Sequence, residues 1–451
     1  MAAILAIAQT TIRGSLRSRV VHVLLALLLA VTLLPVILRG DGTLHGQLQL
    51  SLTYSLGMVG AVLSLVTVWL GCTQISLDIE SHRIHLILTK PVPVVTLWLG
   101  KLLGIMAIQI VLLSVSAATI LALTHWKLSQ AENKAELAEL KANVLTGRRV
   151  FDTDRPSLDE LVKQEYRRRL HEGLIDTRLP EVAQLSTLQR ELKRHLDEIP
   201  FSMTREWVIK GLPQLGPDEI VHLRYRIYRA QVKSRVRERT EGVWHVKEAT
   251  SKRFVSQPRD AMSGVFLELP ISGKFISEDG ELKVAYTNFD PEQRVAIIQH
   301  IDGPSALLPA VSFANNYTRA VLLVLLHVVA IAAFSCALGG AFSTGAAAFL
   351  VCAYLALGAL VDFQTPAKGE MDVPGGDAIS QIQYQVRRGV RFITVGANEF
   401  SGISSLSHGR LIELSYIFTV AVKLLLIRAL PVSLVGLLLL RQRELGAVLR
   451  P

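Results

Sequence analysis

Leu77-Asp78-Ile79-Glu80-Ser81-His82-Arg83-Ile84-His85-Leu86-Ile87-Leu88-Thr89-Lys90-Pro91-Val92-Pro93 lies between two long apolar stretches and leads into Leu99-Gly100-Lys101-Leu102-Leu103-Gly104. The flanking runs, Leu52 to Ser76 and Leu102 to Leu123, contain no Asp, Glu, Lys or Arg. A helix needs about 20 residues to cross the hydrocarbon core of a bilayer, so each run is long enough to span it. The strip between them is held at the membrane face, charged on one side and apolar on the other. A soluble partner could grip it there.

Working outward, four more stretches meet the same test: Val20 to Leu38, Ala320 to Phe342, Gly345 to Val361 and Phe418 to Leu440. The last carries Lys423 and Arg428. A charge inside a span is costly unless it snorkels or faces protein, so Lys423 is expected at the outer interface and Arg428 on a protein-facing side. Short basic flanks set orientation. Arg13, Arg17 and Arg19 precede the first span, and Arg441, Arg443 and Arg450 follow the last. Both termini and the strip 77–101 are therefore expected in the cytoplasm, with 125–318 and the loop 362–416 outside. Before the first span, Ile4, Leu5, Ala8, Ile12 and Leu16 recur at helical spacing beside Arg13 and Arg17, the pattern of a helix lying in the interface. There is no basic segment ahead of a short apolar core, so no cleaved signal peptide is expected.

The chain has 451 residues, half of them hydrophobic, with 48 Lys and Arg against 38 Asp and Glu. Its mean hydropathy of +0.37 suits a protein with both membrane and aqueous parts. The formal charge of +10 comes largely from the membrane flanks and is not a nucleic-acid footprint. The three cysteines, Cys72, Cys336 and Cys352, fall in the expected spans, which leaves the outer region without disulfides.

The sequence thus divides into 1–124, with an interfacial helix and three spans; 125–318, an extracytoplasmic α+β insertion; and 319–451, with three more spans. Within the insertion, 125–216 reads as helical. Gln130-Ala131-Glu132-Asn133-Lys134-Ala135-Glu136-Leu137 and the residues after it set opposite charges three and four apart, and Ser157 before Leu158-Asp159-Glu160 fits a helix start. The part 217–305 reads as a small β-sandwich. Val221 to Tyr228 alternates apolar and polar residues, Leu282 to Tyr286 and Val295 to Ile298 do so less strictly, and Asp279-Gly280 signals a turn. Arg167-Arg168-Arg169 fits a solvated helix face.

No Gly-x-x-x-x-Gly-Lys-Ser/Thr loop, His-Glu-x-x-His helix or Gly-x-Ser-x-Gly elbow occurs, and the histidines show no metal-ligand spacing. No catalytic residue, cofactor or metal is therefore assigned to this chain. Gly339-Gly340 with Ser343-Thr344-Gly345 reads as a tight reversal between two spans.

In Asp78 and Glu80, the leucine-rich run to Leu88, Lys90, Pro91-Val92 and Gly100-Lys101, the chain resembles the permease subunits of ABC-2 type transporters. The likeness is to the branch described as multi-copper enzyme maturation permeases, and it covers the membrane portion only. Val94 stands where that family often has a basic residue. The resemblance implies a bacterial inner-membrane subunit, an exporter in its most direct reading, paired with a second permease copy or paralogue. It also implies cytoplasmic ATPase subunits that bind ATP and Mg and dock on a coupling segment, here 77–101. In that segment Asp78, Glu80 and Arg83 would meet the ATPase, while Ile84 and Leu88 hold the segment against its own bundle, and Lys90, Pro91, Gly100 and Lys101 complete the motif. The insertion would meet cargo or a periplasmic partner. A different class of function fits the same residues: a membrane-anchored scaffold whose outer domain binds an envelope component.

Overall fold

The computed structural model describes residues 1–33, 44–81, 93–130, 145–154, 158–175, 181–229, 239–247, 254–300, 303–364, 378–394 and 402–442. The chain forms two compact units, one made of 1–147, 311–364 and 388–451 and the other of 148–310 with 365–387.

In the first unit, α1 (Ala2–Leu16) and α2 (Arg19–Thr32) meet at a bend of 76°. The end of the first expected span, and the arginines after residue 442, lie outside the described residues. Among the described residues, five helices are long and apolar enough to cross a membrane: α3 (Leu44–Glu80), α4 (Val94–Ser129), α7 (Phe313–Ala341), α8 (Thr344–Gln364) and α11 (Leu414–Gln442). The bent pair α1–α2 makes a sixth if it counts as one span. The chain is thus a polytopic membrane protein with five to six spans.

Lipid offers little apolar driving force between helices, so close van der Waals packing of small residues has to hold the bundle together. α7 supplies Ala330, Ala332, Ala333, Ser335, Cys336, Ala337, Gly339 and Gly340 along one segment, most of them buried. Gly71 of α3 lies so near that a Cβ built on it would be 2.3 Å from Ser335 Cβ. A Cβ on Gly436 of α11 would be 2.6 Å from Ala337 Cα. At the other end of α7, Tyr317 Oη donates to Ala117 O of α4 at 2.9 Å. There, just past the short helix α10 (Ile403–Ser407), Arg410 O accepts from the Asn316 side chain (2.8 Å), which in turn accepts from Ile412 N–H (2.9 Å), lashing the entry to α11 onto α7.

α11 is π-helical from Val422 to Ala429, the stretch that contains Lys423 and Arg428. Lys423 is exposed and Arg428 half-buried.

The second unit opens with β1 (Thr146–Asp152), followed by the helical hairpin α5 (Leu158–His171) and α6 (Glu181–Asp197). Leu158, Val162 and Leu188 close a small core between the two helices. Two arginines of the triplet are committed locally. Arg168 and Arg169 both donate to Glu165, and Arg169 reaches across to Glu191 on α6. These bonds hold the Glu165 carboxyl at about 2, well below the usual range, with the Arg168 and Arg169 hydrogen bonds as the leading cause.

Among the described residues ten further strands follow: β2 (Glu198–Ile199), β3 (Thr204–Ile209), β4 (Ile220–Arg226), β5 (Tyr228–Arg229), β6 (Arg239–Lys247), β7 (Phe254–Met262), β8 (Phe266–Ser272), β9 (Leu282–Asn288), β10 (Ala296–Ile297) and β11 (Ser305–Ser312). They form three sheets, in the orders β1-β11-β4-β8, β2-β10-β5 and β3-β9-β6-β7. Period-two alternation puts Val221, Leu223 and Tyr225 of β4 on one face, where they share a core with Trp244, Val246, Leu269, Ile271, Val284 and Tyr286. Three strands, β1, β2 and β3, fall inside the 125–216 region expected to be helical, and the charged run after Gln130 lies outside the described residues up to 144. Where the strands form, tertiary pairing overrides local helix propensity.

One buried ion pair ties this unit together. Arg229 and Asp290 are 2.9 Å apart, with side chains only 4% and 1% exposed. Burial pushes the Asp290 carboxyl up, but the Glu292 N–H and the Arg229 and Arg294 guanidinium groups outweigh it, so Asp290 titrates below its ordinary value. A carboxyl depressed on folding contributes stability above its unfolded value, about 3.9, which is lost as pH falls through the folded one. Resistance of 148–310 to protease should therefore fall on acidification from pH 5 downward. Asp290→Asn should lower resistance at neutral pH and flatten that acid limb, and an unchanged limb would assign the acid sensitivity elsewhere.

Candidate functional site

α3 stops where its apolar run gives way to Asp78, Glu80 and Ser81, and α4 starts after Pro93, whose extended backbone cannot extend the helix upstream. The two helices pack antiparallel, with 82–92 joining them. Arg83, Ile84, Leu88, Lys90 and Pro91 lie outside the described residues. The base of the segment, from Asp78 to Ser81 and from Pro93 to Lys101, is described.

At that base, Lys101 Nζ donates to Asp78 Oδ2 across the two helix ends. The side chains are 8% and 19% exposed, so neither charge stands free in water. Within this chain the two side chains pair with each other.

Glu80 is exposed, and its carboxylate sits at the start of α8, where it accepts from Thr344 N–H at 3.2 Å and Thr344 Oγ1 at 3.4 Å. A helix start has unpaired N–H groups and partial positive charge, which a carboxylate satisfies. One turn earlier, Ser76 Oγ donates to Gly339 O (2.7 Å) and Phe342 O (3.1 Å), covering carbonyls left free where α7 ends. The last turn of α3 thus holds the tight reversal between α7 and α8. Glu80→Gln keeps one acceptor and removes the charge, a change worth about 0.3–1 kcal/mol at an exposed helix start. A small drop in thermal stability that disappears at high salt is expected, and a salt-independent drop would point to a different role for Glu80.

Gly100 has its own partner. A Cβ on it would lie 2.7 Å from Ile7 Cβ, and one on Gly104 would lie 2.8 Å from Ala8 O and 2.8 Å from Thr11 Cβ. The Gly100-x-x-x-Gly104 spacing puts both on one face of α4, and α1 is seated there. Gln74 Nε2 of α3 donates to Ser15 Oγ of α1 at 3.0 Å, securing the same helix from the other side. Five helices, α1, α3, α4, α7 and α8, therefore converge at the base of 82–92. Of these contacts, sequence reading had named Asp78, Glu80, Gly100 and Lys101, and it missed Ser15, Gln74, Ser76 and Gly104 as parts of the site. The four-residue glycine spacing was the one signal available for Gly104.

Several polar residues lie within the spans. Tyr54 and Ser114 are exposed, Ser64 returns its hydroxyl to Gly60 O, and Tyr354 stacks on Phe334. Gln109 is 0% exposed, and its amide finds no hydrogen-bond partner among the described residues. No group of three or more His, Cys, Asp and Glu side chains converges among the described residues.

The fold and the site define a class: a multi-span membrane protein with an α+β domain inserted between membrane helices. Compared with known proteins, the chain matches no family model, no curated protein and no solved structure.

Proposed function

We propose that the chain is the membrane-spanning subunit of an ABC-2 type transporter, with ATP and Mg bound and ATP hydrolysed by separate cytoplasmic subunits. The observation that carries this reading is the convergence of five helices on the base of 82–92. A push on that segment would pass to α4 through Lys101, to α1 through Gly100 and Gly104, and to the α7–α8 reversal through Ser76 and Glu80. Such coupling needs an element with two arrangements that the partner's nucleotide state biases. In this account Asp78 and Lys101 are positioning residues that stiffen the lever, and Arg83 and Lys90 are the charges left to meet the ATPase. The termini are cytoplasmic, the inserted unit faces outward from a bacterial inner membrane, and a second permease copy or paralogue completes the translocation path.

The test is purification from native membranes in mild detergent, followed by mass spectrometry of the copurifying chains. A chain carrying a phosphate-binding loop should copurify, and Arg83→Glu should release it while the elution profile is kept. Asp78 is a poor choice for charge reversal, because Asp78→Lys would set a second cation against Lys101. Absence of any such ATPase would favour the scaffold reading, in which the bundle serves only to anchor the inserted unit. Orientation is checked separately: Glu281→Cys should react with an impermeant maleimide on intact cells, and reaction only after lysis would reverse the assignment.

A further inference from the structure

Between α8 and α11 the chain forms α9 (Ala378–Ile393), a 16-residue helix of sequence AISQIQYQVRRGVRFI. Ile382 and Val386, one turn apart, are 63% and 57% exposed, and Val390 follows at the same spacing. Ile379 and Ile393 extend the i, i+3, i+4 pattern in the sequence. The helix carries Arg387, Arg388 and Arg391 and no acidic residue. An apolar strip on a helix with basic residues and little overall hydrophobicity is the pattern of a helix that lies in the membrane interface. The chain on either side leads into membrane helices, α8 ending at Gln364 and α11 starting at Leu414, so α9 is tethered to a bilayer at both ends.

We propose that α9 lies in the plane of the membrane surface, with Ile382, Val386 and Val390 among the acyl chains and its arginines on anionic phospholipid headgroups. The bilayer is favoured as occupant because α9 is purely cationic while a membrane supplies both an apolar layer and negative charge. Basic residues near an anionic surface each add to binding, and their effect fades within a Debye length. α9 would then set the level of the loop between the last two spans and make it sensitive to lipid composition. The inference is independent of any ATPase partner.

The experiment uses the full chain, with Cys72, Cys336 and Cys352 replaced by alanine, in nanodiscs of POPC alone or POPC with POPG. Ile382→Cys or Tyr384→Cys carries an environment-sensitive fluorophore. In POPG discs, the label at 382 should shift to the blue and be quenched by nitroxide lipid, while the label at 384, about 160° round the helix from the middle of the apolar strip, stays open to aqueous iodide. Combined Arg387→Gln, Arg388→Gln and Arg391→Gln should remove the POPG dependence of the label at 382 without changing elution. Equal iodide quenching at 382 and 384 in both lipids would overturn the proposal. So would a label at 382 shielded from iodide and nitroxide lipid alike, since protein would then cover the strip. A POPG response that survives loss of the three arginines would overturn the headgroup assignment.

Discussion

Gly339→Ala is expected to destabilise the membrane bundle severely. The new Cβ would lie 2.8 Å from Cys72 O, 2.9 Å from Gly71 O and 3.0 Å from Cys72 Cα, all backbone atoms of α3 that no rotamer change can move. Overpacking a tight core costs about 1–3 kcal/mol where side chains can yield, so a backbone-on-backbone clash belongs at or above about 3 kcal/mol. It would also pull Gly339 O from Ser76 Oγ and loosen the reversal held by the end of α3. Gly57→Ala is the control: it sits on α3 with nothing within 4 Å of the new Cβ. Thermal unfolding in detergent, read by loss of the monodisperse peak, should separate the two variants widely. Similar melting of both would mean that the α3–α7 crossing is looser than its geometry implies.

Lys101→Met should come close to that effect by another route. It leaves the Asp78 carboxylate largely shielded from water and without its partner, and breaking a buried pair from one side costs about 3–5 kcal/mol. The residual exposure of Asp78 puts the expected loss at the lower end, about 3 kcal/mol. Asp78→Asn combined with Lys101→Met removes both charges and should recover most of the stability, because an apolar replacement of a buried pair is often neutral. If the double variant melts no higher than Lys101→Met, the pair is not what joins the two helix ends. A recovered double variant also gives a folded chain in which the lever lacks its lock, so coupling can be measured apart from folding.

The membrane half was legible because its signal is long and one-dimensional. The uncharged runs at Leu52 to Ser76 and Leu102 to Leu123 could hardly be anything but spans, and the arginines after Leu16 marked where the first helix turns. β4 was legible for the same reason, since Val221, Leu223 and Tyr225 alternate cleanly with His222, Arg224 and Arg226. β1 was not, because adjacent Arg148 and Arg149 interrupt its alternation. Arg148 grips Glu268, 120 residues away, with two hydrogen bonds of 2.6 and 2.8 Å. β6 and β8 were hidden by breakers inside them: Gly242, which leaves room for the Tyr286 ring, and Pro270. At the site, the residue types were readable and the pairings were not. Glu80 and Thr344 are separated by 264 residues, and nothing local to either says that the carboxylate caps that helix. Gly100 read as part of a docking motif, whereas its immediate physical role is to let α1 approach.

The central claim is that 82–92 receives force from an ATP-hydrolysing partner, and the most direct measurement places a photocrosslinking amino acid at Ile84 or Leu88 in the full chain in native membranes. The account predicts a crosslink to a chain carrying a phosphate-binding loop, changed by trapping that chain with ATP and lost with Arg83→Glu. Crosslinks confined to lipid or to this chain itself, in cells where the full complex is expressed, would contradict it.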